Sequence, residues 1–247
     1  MEETRIPTFV INLDSAQGRW SHMQKMLKSN GVSNVHRISA VNGVDINLED
    51  PNLTYNPEKN ARSYYAPLKK AEIACFLSHQ KAWQKIVEDN LTVACILEDD
   101  VEFVEPPNDL FQRLLKLLIV DEPAAIRLYA RKNISGKTVS FFSRYKIIKP
   151  RIAPLGMVGF LLNRHAAEAY LQHTSEIYEP VDVAIQRQWD IGFSSLVIQP
   201  RLVKEISKIL GGTSLHNQEV ISFSKKVRKE LGRPVFRLFR YIKSYFV

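Results

Sequence analysis

The run Val93-Ala94-Cys95-Ile96-Leu97 is wholly apolar and ends, without transition, in Glu98-Asp99-Asp100 before returning to Val101. Such a run reads as a buried strand. Three adjacent acids at its carboxyl end repel one another and gain little from solvent alone. Ligands of open α/β sheets gather outside the carboxyl ends of the strands. Hard oxygen donors at such an edge suit a divalent cation that bridges phosphates. A solvated acidic turn explains the same residues, and the triplet alone does not choose between these readings. Alternate side chains of an extended segment point the same way. Glu98 and Asp100 can therefore converge on one cation while Asp99 faces elsewhere.

The segments around this strand have α/β periodicity. Residues 8–14 read as a first strand, followed by a helix from Trp20 to Ser29 that stops near Asn30-Gly31. A short strand is expected at Val35–Ile38. Residues 44–67 carry prolines, asparagines and tyrosines without a clear period and read as a long loop or lid. Glu72 to Glu88 is a strong amphipathic helix, with Phe76 and Leu77 on the buried face and His79 at its border. Later elements are a helix at 110–118, strands at 125–129, 139–142 and 156–162, a helix from Arg164 to His173, a helix from Val181 to Trp189, and a strand at 196–198. Gly136 is read as a turn. The pattern predicts a mixed α/β sheet flanked by helices.

Length and cysteine usage narrow the setting. A chain of 247 residues can bury one large core. Its two cysteines, Cys75 and Cys95, fall in helix and strand patterns and read as packed thiols, as expected in a reducing compartment. The charged start Met1-Glu2-Glu3-Thr4-Arg5 carries no export signal. The six histidines show no tight ligand spacing, which argues against a dedicated zinc site.

Several segments, taken in order, carry a family resemblance. These are Phe9-Val10-Ile11-Asn12-Leu13-Asp14 with Arg19, then Ile38-Ser39-Ala40-Val41-Asn42-Gly43, then Ala71-Glu72-Ile73-Ala74-Cys75-Phe76-Leu77-Ser78-His79-Gln80-Lys81-Ala82-Trp83, and then the acidic strand end. Together they resemble glycosyltransferase family 25, the bacterial lipooligosaccharide transferases related to collagen galactosyltransferases. The resemblance is dense from about residue 8 to 104 and continues through Gly156–Leu161, Pro180-Val181-Asp182 and Leu196–Pro200. It implies a GT-A-like fold, a UDP-sugar donor, and manganese or magnesium as the cofactor. Two departures stand out. Lys69-Lys70-Ala71 replaces the usual Thr-Pro-Gly before the acid of the Ser-His helix, and Met157 follows Gly156 where a small hydroxyl residue is usual.

The resemblance also assigns roles. Glu98 and Asp100 stand where a D-x-D signature binds metal, and Asp99 would reach the ribose or donor sugar. Asn12, Asp14 and Arg19 would hold the nucleotide, although an Asx turn and helix cap explain them too. His79 is assigned to the donor site, against the alternative of a packing histidine. Asp182 is the candidate base for an inverting reaction, against the alternative of a helix cap. His216, after Gly211-Gly212-Thr213, is a candidate third metal ligand or else a surface residue.

The net charge of +8 is concentrated at one end. Residues 225–247 hold eight Lys and Arg against the single Glu230, a net +7 that leaves the rest of the chain near neutral. From Val235 a helical projection puts Leu238, Phe239, Tyr241, Ile242, Tyr245 and Phe246 on one side and Arg237, Arg240, Lys243 and Ser244 on the other. Residues 1–221 are therefore read as a GT-A-like domain and 222–247 as a basic amphipathic helix for an anionic membrane surface. A terminal helix docked on its own domain is the alternative. The expected partners are a sugar nucleotide, a lipid-linked oligosaccharide acceptor and the inner face of the bacterial inner membrane, from the cytoplasmic side, with no nucleic acid. A non-catalytic membrane- or nucleic-acid-binding protein on an α/β scaffold is the competing reading. In that case the triplet would be a surface turn.

Overall fold

A computed structural model describes residues 6–207, 209–210 and 223–245. The chain begins with β1 (Thr8–Asn12), α1 (Gln17–Ser29) and β2 (Val35–Ser39). It continues through α2 (Pro57–Ser63), α3 (Lys70–Glu88), β3 (Val93–Glu98), β4 (Val101–Phe103) and α4 (Asn108–Leu115). Then come β5 (Ala125–Arg127), β6 (Gly136–Phe142), β7 (Tyr145–Pro150), β8 (Gly159–Asn163) and α5 (Arg164–His173). The last described elements are α6 (Val181–Ala184), α7 (Gln188–Ile191), β9 (Leu196–Gln199), β10 (Val203–Glu205) and α8 (Phe223–Lys243).

Eight strands form one mixed sheet in the order β2-β1-β3-β8-β5-β9-β7-β6, and β4 pairs with β10 in a separate two-stranded ribbon. The β2-β1-β3 part is parallel, while β8 runs antiparallel to both β3 and β5. β1, β3 and β8 are buried almost throughout, as strands covered on both faces must be. Their alternate residues feed two cores. Val10, Cys95, Leu97 and Leu161 pack with Met23 and Leu27 of α1 and Phe111 of α4. Phe9, Ile11, Ala94, Ile96, Phe160 and Leu162 pack with Ile73, Phe76 and Trp83 of α3 and Tyr170 of α5.

α3 fixes the loop that follows β2. Glu72 accepts a hydrogen bond from the Lys69 N–H at 2.8 Å and closes the first turn of the helix. Ser78 Oγ accepts from the Val41 N–H at 2.8 Å. Gly43 meets the helix so closely that a Cβ there would lie 2.9 Å from Ala71 Cα.

The expected mixed sheet and most of its helices are present. Several details differ. The segment Val181–Trp189 forms two short helices, because the chain leaves helical geometry at Arg187. Its neighbours Gln186 and Gln188 donate instead to the backbone carbonyls of Ala153 and Arg151. The loop at 44–67 contains α2, capped by Asn56 accepting from the Lys59 N–H. Gly136 begins a strand rather than a turn. His79 is not at the border of α3 but inside, 1% exposed, while Leu77 is only half-buried. α3 is covered by both the sheet and α5, so its buried arc is wider than one apolar stripe.

α8 lies against the body through the side the sequence marks as polar. Arg240 and Ser244 are buried, and Arg240 Nη2 donates to the Val183 carbonyl at 2.7 Å. Phe236 packs edge-on against Tyr64 and Tyr65. The apolar side points outward. Leu231, Val235, Leu238, Phe239 and Ile242 are each at least half exposed.

Candidate functional site

The parallel register pairs Ile11 with Glu98, which puts Asn12 beside Asp99 at the carboxyl ends of β1 and β3. Asn12 Nδ2 donates to Asp99 Oδ2 at 2.5 Å. Arg19, in the first turn of α1, donates from Nη1 to Asp99 Oδ1 at 2.9 Å and lies 3.6 Å from Asp100 Oδ2. Both oxygens of Asp99 are thus held by protein donors, and one guanidinium spans two of the three acids.

Asp100 is the strained member. The triplet forms the turn between β3 and β4, and β10 closes over it by pairing Glu205 with Val101. The Ile206 N–H donates to the Asp100 carbonyl at 2.7 Å. Only 8% of Asp100 remains exposed, and its Oδ1 is buried without a hydrogen-bond partner. Burial first, then the charges of Glu98 and Asp99, push its carboxyl up to about 7, with Arg19 opposing. Glu98 faces the other way, with Oε1 3.6 Å from His79 Nε2. Cys75, one turn before His79 on α3, completes this side.

An oxygen-donor set with an unpartnered buried carboxylate oxygen fits a hard divalent cation. Asp100 is placed to hold it. Strand alternation predicts that Glu98 and Asp100 converge while Asp99 faces elsewhere; instead Asp99 and Asp100 share Arg19, and Glu98 is turned toward His79 and would join the ion only by rotating its side chain. Asp99 already has a donor on each oxygen.

A second node lies across the site. Asp182, in the first turn of α6, accepts from the Gly156 N–H through Oδ2 at 3.0 Å. Gly156 has φ +99°, a left-handed conformation that glycine accepts without strain. Its carbonyl accepts from Arg127 Nη1 at 2.8 Å. Arg127 is 1% exposed, also donates from Nε to Ser195 Oγ at 3.2 Å, and lies over the Phe160 ring at 4.8 Å. Burial lowers it to about 10, while Tyr170 and Asp182 act in the opposite sense. The Cys75 thiol is pushed well up by burial and then by the charges of Glu98, Asp182, Glu72 and Asp100.

The structure therefore brings together Asn12, Arg19, Asp99 and Asp100, and separately Glu98 and His79. Asp182 belongs to a second group with Gly156 and Arg127. Asp14 is not among them. It is exposed, accepts from Ser39 Oγ at 2.5 Å and lies 3.6 Å from Arg37 at the β2 edge. His216 lies outside the described residues. Arg127 was not singled out from sequence. The available signal was one arginine inside the apolar run Ala124-Ala125-Ile126-Arg127-Leu128-Tyr129, since a charge buried in a strand needs fixed partners.

The repulsion at Asp100 has a thermodynamic sign. A carboxyl held above its unfolded value loses stability as pH rises from the ordinary carboxylate range to about 7. Asp100→Asn should therefore raise the melting temperature of the metal-free protein at pH 8, by about 2–4 °C for each kcal/mol of repulsion removed. It should also abolish the further rise that manganese gives the unsubstituted chain. Scanning fluorimetry with and without manganese reads both effects. A variant that manganese still stabilises fully would remove Asp100 from the cation site.

The family model described as Glycosyltransferase family 25 (LPS biosynthesis protein) matches residues 5–185. Procollagen galactosyltransferase 1-A of Xenopus laevis is 31% identical over 116 residues, 46% of this chain and 18% of that relative. Procollagen galactosyltransferase 2 of Homo sapiens is 30% identical over 113 residues, 44% of this chain and 17% of its own length. A putative glycosyltransferase of Haemophilus influenzae is 27% identical over 203 residues, covering 72% of this chain and 68% of that relative. The chain thus spans less than a fifth of the procollagen relatives it matches. The family match covers most of the chain: the protein belongs to glycosyltransferase family 25.

Proposed function

We propose that the protein is an inverting, metal-dependent galactosyltransferase that moves galactose from UDP-galactose to a sugar of lipooligosaccharide or lipopolysaccharide. The observation that carries this reading is the acidic strand end whose Asp99 is held by Asn12 and Arg19, with Arg19 also 3.6 Å from Asp100, at the carboxyl edge of the parallel strands. The family's description supplies the lipopolysaccharide context, and the relatives' names supply galactose.

The residues divide the reaction between them. Asn12, Arg19 and Asp99 form the proposed donor-binding group, with His79 behind Glu98. Asp14 would act only from the exposed turn beside Arg37. A divalent cation held by Glu98 and Asp100 would supply Lewis-acid stabilisation of the diphosphate leaving group. Arg19 adds a fixed positive charge on the same edge. Asp182 is oriented through Oδ2 by the Gly156 N–H, so Oδ1 is the proposed proton acceptor. It takes the proton of the acceptor hydroxyl as that oxygen bonds to the anomeric carbon. The bond from the anomeric carbon to the diphosphate oxygen breaks on the opposite face, and UDP leaves with the electron pair. Arg127, through Gly156, is a positioning residue for this base.

Asp182→Asn retains a carbonyl oxygen for the Gly156 N–H. It should lower kcat by about 10²–10⁴ with UDP affinity unchanged, as measured by sugar transfer and by calorimetry. Unchanged turnover, or lost UDP affinity, would remove Asp182 from the base role.

α8 supports membrane association as part of the same reading. Among the described residues no helix is long and apolar enough to cross a membrane. α8 instead presents Leu238 at 59% and Ile242 at 50% exposure, in a segment rich in Lys and Arg. An exposed apolar stripe flanked by cations suits an anionic interface. Replacing both Leu238 and Ile242 by Glu should release the chain from anionic vesicles and spare its melting temperature, because neither side chain is packed. Vesicle sedimentation of a folded double variant at unsubstituted levels would exclude α8 as the contact.

A further inference from the structure

Cys75, His79 and Glu98 place one ligand atom each within 4.8 Å of one another, the one such triad found among the described residues. Cys75 and His79 are four apart and share a face of α3, while Glu98 ends β3. His79 is 1% exposed, and both of its ring nitrogens are buried without a hydrogen-bond partner. A buried imidazole in that state forfeits the hydration of two polar atoms, which is costly without a ligand. Its Nε2 points toward Glu98 Oε1 at 3.6 Å.

We propose that these three residues form a second cation site, selective for a borderline or soft divalent ion of the zinc class. A thiolate, an imidazole and one carboxylate are the donors that zinc and cadmium prefer and that manganese and magnesium do not. Bond lengths of about 2.0–2.3 Å to a tetrahedral ion require the donor atoms to close by rotation of the half-buried Cys75 and Glu98 side chains. His79, locked in the core, serves as the fixed point. On binding, the Cys75 thiol gives its proton to solvent as the sulfur–metal bond forms, and nothing is oxidised or reduced. Three protein ligands leave a fourth position open.

The consequence is regulatory. Glu98 cannot serve this site and the hard-cation site beside Asp100 together. Zinc at Cys75 therefore withdraws a ligand from the manganese position and inhibits transfer. This part rests on the proposed role of Glu98 in turnover, whereas the existence of the site does not.

Cadmium titration of the full chain tests the two parts separately. Cadmium should produce a sulfur-to-metal charge-transfer absorbance that saturates at one equivalent. The band should vanish in both Cys75→Ser and Cys75→Ala. His79→Gln should weaken binding by about tenfold or more. Cys95→Ser should keep the band, and so should Asp100→Asn, in which the manganese site is damaged. The zinc concentration that half-inhibits manganese-dependent transfer should rise about tenfold or more in Cys75→Ser. No band at one equivalent, or a band that persists in folded Cys75→Ser, would overturn the site. A normal band with transfer insensitive to zinc would overturn the inhibition alone.

Discussion

The pairing of β1 with β3 is the constraint on which the site depends. It sets Asn12 against Asp99, and the α1 turn then delivers Arg19 to the same carboxylate. With one Asp99 oxygen held by the Asn12 amide and the other paired with Arg19, Glu98 turns toward α3 and Asp100 lies under β10. The remaining charge is concentrated on a buried carboxylate with an unpartnered oxygen. Such a group destabilises the folded chain unless a cation joins it.

The group around Asp182 is built on a different principle. Arg127 lies in the middle of the sheet with its charge spread over Gly156, Ser195 and the Phe160 ring. Gly156 passes that fixation to Asp182 through a single N–H. The segment around Asp182 is also tied to α8, because Arg240 donates to the carbonyl of the adjacent Val183. Any displacement of α8 on a surface would thus be felt one residue from the proposed base.

Legibility from sequence followed burial. β1, β3 and β8 were readable because each is a continuous apolar run covered on both faces, and α5 has the expected bounds, Arg164 to His173. α1 begins three residues before the expected Trp20, since Gln17 to Arg19 carry no apolar signal. β4 and β10 are three residues each and owe their form to pairing with one another, which no local pattern encodes. The acid triplet, Asn12 and Arg19 were legible as chemistry at strand ends. Their mutual contacts were not, because those depend on a register between segments 87 residues apart. The amphipathic character of α8 was visible, but not which side would face the body. Arg240 is buried with a hydrogen bond to the Val183 carbonyl of the body, an arrangement hydropathy cannot indicate.

The central proposal is that the acid triplet, through Asp100 first, holds a divalent cation together with a nucleoside diphosphate. Electron paramagnetic resonance of manganese, titrated with the full chain in the presence and absence of UDP, measures this directly. The expected result is one bound manganese per chain, bound at least about tenfold more tightly when UDP is present, with that increase lost in Asp100→Asn. Manganese binding that is indifferent to UDP, or unaffected by Asp100→Asn, would contradict it.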